Sequence, residues 1–451
     1  MNSIVFVCLI GYLGTLAATQ TVYGWGFMNL RWIALLVLVA VSGLSWLIMR
    51  SQKGLKLFLD KSSIILLVYF LVTFSTVIEA ENPLFSGLRW SSHTMMLTIF
   101  LVFIRQNLTF NQVQKIQVVL KIIIAVLLFL SLLNPAPQTI YDSLQVFRGA
   151  MGNANTMGQI AAIGTIIYFH SFLTRRGKWL RYLEFFLVCI SMAVLWWTGS
   201  RSALITVITG IGLIIVFYRQ MVRNKMFWII YLICLVSLIS PTLPYKVKQF
   251  IYKSEDPSSK FMIQMTKSRS EIWSAAWEGF KSRPVYGWGF GADSEITKDW
   301  TIRLTALGTV KRDAVNDFLF MLEGCGVIGL GAYLLLIYIA LKQRLTRRQV
   351  LTLEKINYKR LDPKEYYLTV SHIHAIMFIL AISLLVLVQF DNTALSAGNF
   401  ISVVIWLSVA SAGSLRKEVL SKEFGIYYYS ITKAQGSQRK PFTLSSFRQL
   451  T

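Results

Sequence analysis

Negative charge is scarce in this chain: 21 Asp and Glu stand against 45 Lys and Arg in 451 residues, a formal net charge of +24. Charged residues of both signs make up 15% of the sequence and hydrophobic residues 55%. Soluble domains carry about a quarter charged residues, so this balance excludes them and indicates a membrane protein. Its cations are expected at lipid headgroups or around an anionic ligand such as a phosphate ester, not on nucleic acid. Histidine is rarer still. Of His93, His170, His372 and His374 only the last two are close in sequence, and i,i+2 side chains do not share a helix face. No metal centre and no cofactor are expected. The four cysteines, Cys8, Cys189, Cys234 and Cys325, lie in apolar stretches without C-x-x-C spacing. That excludes a disulfide framework or zinc site and leaves them as small packing residues. No basic residue precedes Arg31, so the first apolar stretch is read as a retained span and not a cleaved signal. An internal repeat of the kind built into many transporters is also missing.

Apolar stretches are abundant. Runs long enough to cross about 30 Å of hydrocarbon recur near 4–20, 31–49, 64–79, 91–104, 116–133, 157–173, 183–198, 203–218, 226–240, 314–341, 372–389 and 397–413. The expected fold is therefore all-α and polytopic, with about twelve transmembrane helices. Basic connections mark the cytoplasmic side. Arg50, Lys53, Lys56 and Lys61 lie in one such connection, Arg175, Arg176, Lys178 and Arg181 in a second, and Arg219, Arg223 and Lys225 in a third. The intervening connections carry Glu79, Glu81 and Arg89, or Asp142 and Arg148, as outer loops should. Residues 1–240 then hold spans one to nine, 241–313 an external loop, 314–413 spans ten to twelve with a cytoplasmic loop at 342–371, and 414–451 a basic cytoplasmic tail. Both ends fall inside.

The external loop is too long to be a turn. It holds twelve Lys and Arg against eight Asp and Glu, and long loops escape the topology rule, so its charge suits capture of an anionic, membrane-borne ligand. Within it Ser268-Arg269-Ser270-Glu271 has capping-box spacing, followed by Trp273, Trp277 and Phe280 at helical spacing. These predict a helix from Arg269 to about Ser282, with Arg269 in a first turn whose free N–H groups favour an incoming phosphate. After Arg283 and Pro284 come Gly287, Gly289 and Gly291 on alternate positions; a phosphate-cradling nest and a plain irregular loop both fit. Thr198-Gly199-Ser200-Arg201 makes a tight external hairpin that carries a guanidinium to the outer edge of the bilayer. Two arginines from distant stretches, Arg201 and Arg269, would together suit a pyrophosphate. The tenth span opens on Asp313, Asn316 and Asp317 and continues to Glu323; polar groups entering a span are costly unless they line a cavity. Gly324, Gly326 and Gly329 are read as close-packing positions.

These motifs, in this order, resemble the O-antigen ligase and polymerase superfamily of bacterial surface-polysaccharide assembly. Gly152-Asn153-Ala154-Asn155-Thr156-Met157-Gly158 is similar to its G-x-x-N-x-x-G segment, Thr198 to Arg201 to its T-x-S-R hairpin, Arg269 to Trp273 with Pro284, Gly287 and Gly289 to its R-x-x-x-W…P…G-x-G loop, and Asn316-Asp317-Phe318-Leu319 with Glu323 to the start of its next span. The resemblance implies a metal-independent glycosyltransferase of GT-C-like architecture in the bacterial cytoplasmic membrane. Its site would face the periplasm or cell exterior, and it would take glycan from an undecaprenyl-pyrophosphate carrier. It implies that Arg201 and Arg269 engage the pyrophosphate, with Arg283, Asn153, Asn155, Asn316, Gly287 and Gly289 as further substrate-binding positions, membrane lipid as a partner, and a chain-length regulator and flippase as candidate partners. Val315 stands where the family's ligases carry a histidine base, so a carboxylate, Asp317 ahead of Asp313 or Glu323, is expected in that role. The polymerase branch is favoured, with a ligase acting on lipid A core as the alternative and a lipid-linked oligosaccharide flippase as the competing class.

Overall fold

The computed structural model describes residues 3–21, 29–53, 61–105, 108–133, 138–141, 144–151, 153–175, 177–218, 273–291, 316–342, 363–389, 395 and 399–413. Along them run α1 (Ser3–Thr19), α2 (Leu30–Lys53), α3 (Lys61–Ile78), α4 (Pro83–Leu97), α5 (Phe110–Leu133), a hairpin of β1 (Gln138–Tyr141) and β2 (Leu144–Val146), α6 (Ala154–Thr174), α7 (Lys178–Thr198) and α8 (Arg201–Phe217). Then follow α9 (273–282), α10 (Asp317–Lys342), α11 (Pro363–Leu387) and α12 (Phe400–Gly413). The architecture is an all-helical membrane bundle. Five segments, Pro83–Ile104, Asn111–Leu133, Ala154–Thr174, Lys178–Thr198 and Asp317–Leu341, are long and apolar enough to span a bilayer, and six shorter apolar helices accompany them. Eleven of the twelve expected spans thus have a helix; the ninth, 226–240, lies outside the described residues.

Two details differ from the sequence expectation. The fourth span begins at Pro83, not near residue 91, because Asn82 caps the helix through Oδ1 to the Phe85 N–H at 3.1 Å and proline is pre-shaped for the first turn. Arg89 and His93 are therefore helical. The same helix ends in a π-helical stretch, Thr98–Ile104. The tenth span is not one continuous helix: Gly326 has φ 62° and ψ −167° and breaks α10.

Outward faces carry Leu36, Leu67, Leu71, Ile122, Ile208 and Val216, each at least half exposed, which is the pattern of helices that meet lipid tails. Inside, α6 is buried along almost its whole length and packs on α5, α7, α8 and α11. Buried hydroxyls bond back to their own helix: Thr165 to the Ala161 carbonyl at 2.9 Å, Ser191 to Leu187 at 2.7 Å, Thr206 to Ser202 at 2.8 Å and Ser383 to Ile379 at 2.8 Å. In a medium without water this local bonding satisfies groups that would otherwise cost several kcal/mol.

Antiparallel neighbours define the two ends of the bundle. At one end Tyr218, just past α8, has its hydroxyl 3.1 Å from His170 Nε2 on α6 and 3.1 Å from His372 Nδ1 on α11. Near that end a buried pair, Lys121 Nζ to Glu184 Oε1 at 2.6 Å, ties α5 to α7, and the Tyr168 hydroxyl donates to the Lys121 carbonyl at 2.6 Å. The opposite end gathers the starts of α4, α6, α8 and α10 and the close of α3, α7 and α11. There the Asp317 N–H donates to the Val388 carbonyl at 3.1 Å.

Candidate functional site

Two of the sequence motifs meet at that second end. Asn153 caps α6, its Oδ1 accepting from the Asn155 N–H at 2.9 Å. Asn153 is exposed and Asn155 half-buried. One turn on, Gly158 faces the Thr198–Arg201 hairpin. A Cβ placed on Gly158 would lie 2.5 Å from Ser200 Cβ and 2.9 Å from Thr198 Oγ1. The missing side chain is what lets the hairpin seat against α6. Gly199, at φ 60°, turns the chain between α7 and α8, and the half-buried Arg201 is the first residue of α8. The N-termini of α6 and α8 thus stand side by side, with Arg201 at the head of α8. Free N–H groups and positive dipole ends make such a place favourable to an anion. The Phe147 N–H donates to the Trp197 carbonyl at 3.3 Å and their rings pack 5.7 Å apart, joining the segment before α6 to the same hairpin.

The second half is built from the described part of the loop between α8 and α10, residues 273–291. Helix α9 appears where the aromatic spacing predicted it, with its described start at residue 273. Arg269, the capping-box residues and Asp313 lie outside the described residues. After α9 the chain turns at 283–286 and runs into the break of α10. The Trp288 N–H donates to the Glu323 carbonyl at 3.0 Å, the Gly289 N–H to Gly324 at 2.7 Å, and the Val327 N–H to Pro284 at 2.9 Å. Gly287 and Gly289 have φ of 69° and 109°; a Cβ on Gly287 would fall 2.5 Å from the Glu323 carbonyl oxygen. These glycines serve a close backbone seam, and the N–H groups of Trp288 and Gly289 are committed to carbonyls. Of the two readings left open for this loop, the bonding of these two N–H groups is that of an irregular loop. Arg283 is exposed and lies with its guanidinium carbon 4.2 Å from the centroid of the Trp288 ring, while Trp288 Nε1 donates to the Gly279 carbonyl at 2.9 Å.

The start of α10 is likewise structural in its bonding. Asn316 Oδ1 accepts from the N–H groups of Phe318 and Leu319 at 2.8 and 3.2 Å, a helix cap. Asp317 is fully buried, and its carboxylate acts electrostatically on the phenols of Tyr69 and Tyr333. Among the described residues, then, the carboxylate expected as the general base sits enclosed at the start of α10. Glu323 is also buried. Tyr69 continues the cluster, its hydroxyl 3.0 Å from His93 Nε2, and His93 stacks on Phe290 of the loop at 5.4 Å.

Sequence reading missed three parts of this end. Ser86 and Arg89 on α4 hold carbonyls of the loop at 2.6 and 2.8 Å; Arg89 had registered only as part of an outer connection, and Ser86 not at all. Gly326 was read as a packing glycine, and no local signal distinguishes a packing glycine from one that breaks a helix. Phe290 had no pattern around it to mark it as a buried wedge. Among the described residues no group of three or more His, Cys, Asp or Glu is arranged to hold a metal ion.

A comparison with curated proteins finds no match. Residues 185–334, about a third of the chain, match the family model described as O-antigen ligase. The match takes in the Thr198–Arg201 hairpin, Arg269, the glycine loop and the start of α10, and leaves Asn153 and Asn155 outside it. Over residues 185–334, then, the chain is similar to the O-antigen ligase family, and the motif order and the helical membrane bundle agree with that match, which supports a polymerase or ligase role in surface-polysaccharide assembly.

Proposed function

We propose that the protein is a polysaccharide polymerase that moves a growing glycan from an undecaprenyl-pyrophosphate carrier to a sugar hydroxyl of an incoming lipid-linked repeat unit, on the outer face of the cytoplasmic membrane. The observation that carries this reading is the placement of Arg201 at the paired N-termini of α6 and α8, inside the segment that matches the family. The acceptor oxygen forms its bond to the anomeric carbon as the bond from that carbon to the pyrophosphate oxygen breaks. The bonding pair leaves with the pyrophosphate, and the hydroxyl proton is lost to solvent. Negative charge grows on the leaving group, and a fixed guanidinium with oriented N–H groups stabilises it without reorganising. Arg269, at the start of the loop helix in sequence, supplies the second cation. The excess of Lys and Arg in the sequence of 241–313 suits two anionic carriers.

Val315 supports the polymerase branch over the ligase branch, because the histidine base of the ligases is replaced by a side chain that takes no proton. The test is reconstitution of the purified protein with a short undecaprenyl-pyrophosphate repeat unit, followed by product sizing. A ladder of lengthening products supports polymerase. Transfer only to lipid A core supports ligase, and carrier movement with no new glycosidic bond supports a flippase. Arg201→Ala and Arg269→Ala should each lower turnover by about 10²- to 10³-fold with the bundle intact; wild-type turnover in both variants would remove the site assignment.

A further inference from the structure

We infer that Ser86 and Arg89 on α4 are positioning residues for glycan transfer, acting by pinning the exit of the external loop to the bundle; the assignment rests on the transfer reading above. The segment 284–291 is held from two sides. On one side three backbone bonds, Trp288 to Glu323, Gly289 to Gly324 and Val327 to Pro284, zip it to the break in α10. On the other, α4 supplies side chains: Ser86 Oγ donates to the Phe290 carbonyl at 2.6 Å, and Arg89 Nη1 to the Gly291 carbonyl at 2.8 Å. The local sequence is shaped for this grip. Gly291 has φ 71°, and a Cβ there would lie 2.6 Å from Arg89 Cδ, so only glycine leaves the arginine its path. Arg89 is further steadied over the Phe85 ring at 4.6 Å. Between the two carbonyl contacts Phe290 is buried against His93 and Phe320, at ring separations of 5.4 and 6.1 Å.

The consequence reaches the reaction through the chain. Residues 283–286 connect this pinned segment to α9, and α9 follows Arg269 by four residues in sequence. The α10 seam is made of backbone bonds that glycines allow to close, whereas the α4 grip is written in two side chains. Releasing it frees the loop exit to shift, and displacement of about 1 Å at a reacting centre costs on the order of 10²-fold in rate.

The experiment compares wild type, Arg89→Ala, Arg89→Lys and Ser86→Ala as purified, reconstituted protein. It measures kcat and KM for an undecaprenyl-pyrophosphate oligosaccharide and amide exchange over 287–291. Arg89→Ala should raise KM or lower kcat so that kcat/KM falls roughly tenfold, and should speed exchange at Trp288 and Gly289 while the core of α6 stays protected. Arg89→Lys should regain most of kcat/KM, because an ammonium still donates to one carbonyl. Ser86→Ala should show a smaller loss in the same direction, and it carries the test if Arg89→Ala fails to fold. A role in stability alone would reduce the folded yield and leave kcat and KM of the folded fraction unchanged; that result, or a lysine variant as impaired as alanine, overturns the assignment. Active wild type with wild-type-like variants sinks this assignment only. Wild type that forms no glycosidic bond from this donor sinks the transfer reading and this one with it.

Discussion

Replacing Gly158 with alanine tests whether the Arg201 hairpin is positioned by α6. The new Cβ would sit 2.5 Å from Ser200 Cβ, 2.9 Å from Thr198 Oγ1 and 3.0 Å from Ser200 Oγ. Carbon atoms rest at about 3.5–4.0 Å, so the hairpin must retreat by roughly an ångström or α6 must bend. Overpacking of this kind costs about 1–3 kcal/mol, an amount the bundle should survive. A shift of about 1 Å in the guanidinium should lower turnover by as much as 10²-fold. The same geometry names the remedy. Ser200→Gly removes two of the three crowded atoms, and Ser200 has φ −79°, which glycine adopts freely. Glycan transfer by purified Gly158→Ala should therefore fall about 10- to 100-fold, and the double variant with Ser200→Gly should recover most of it. Full activity in the single variant would refute the packing argument. So would a double variant no better than the single, because the loss would then not come from the hairpin.

Three further outcomes follow from other contacts. Asp317→Asn keeps size and burial while removing the charge, and should change kcat by less than about threefold; a general base would cost 10²- to 10⁴-fold, so a steady-state rate assay separates the two. Lys121→Met alone strands the buried Glu184 carboxylate and should destabilise by about 3–5 kcal/mol, whereas Lys121→Met with Glu184→Leu should melt close to wild type in a thermal unfolding assay. Gly326→Ala places a Cβ at a backbone conformation reserved for glycine and against the Val285 carbonyl; faster amide exchange at Val327 and Trp288, with α6 unaffected, is the expected reading.

Helix positions were legible because the bilayer enforces them: long apolar runs separated by basic or acidic connections leave few alternatives. The hairpin of Thr198–Arg201 and the cap at Asn153 were legible for a similar reason, since short motifs with fixed roles sit at helix ends. The contacts between distant stretches were not. Arg89 looks like any interfacial cation until Gly291 is seen 202 positions away beneath it. Asp317 shows its polarity in the sequence but not its enclosure, and the phenols it acts on, Tyr69 of α3 and Tyr333 beyond the break in its own helix, are remote from it in sequence. The glycine triplet supplied backbone freedom in either reading, and only the carbonyls of Glu323 and Gly324 decide how it is used. Lys121 and Glu184 stand 63 positions apart, so the pair they make is visible only in the packed bundle.

The burial of α6 bears on how the molecule is made. This segment carries Gln159, Thr165, His170 and Ser171 inside the bilayer region with almost no surface left for lipid, and it is much less apolar than α5. Alone in hydrocarbon those polar groups would be poorly accommodated. Its shielding partners α7 and α8 are translated after it, so α6 must linger at the insertion machinery or at the lipid boundary until the next hairpin arrives. Truncation after residue 175 should then leave a segment that slips out of the membrane, while extension past 218 should hold it there.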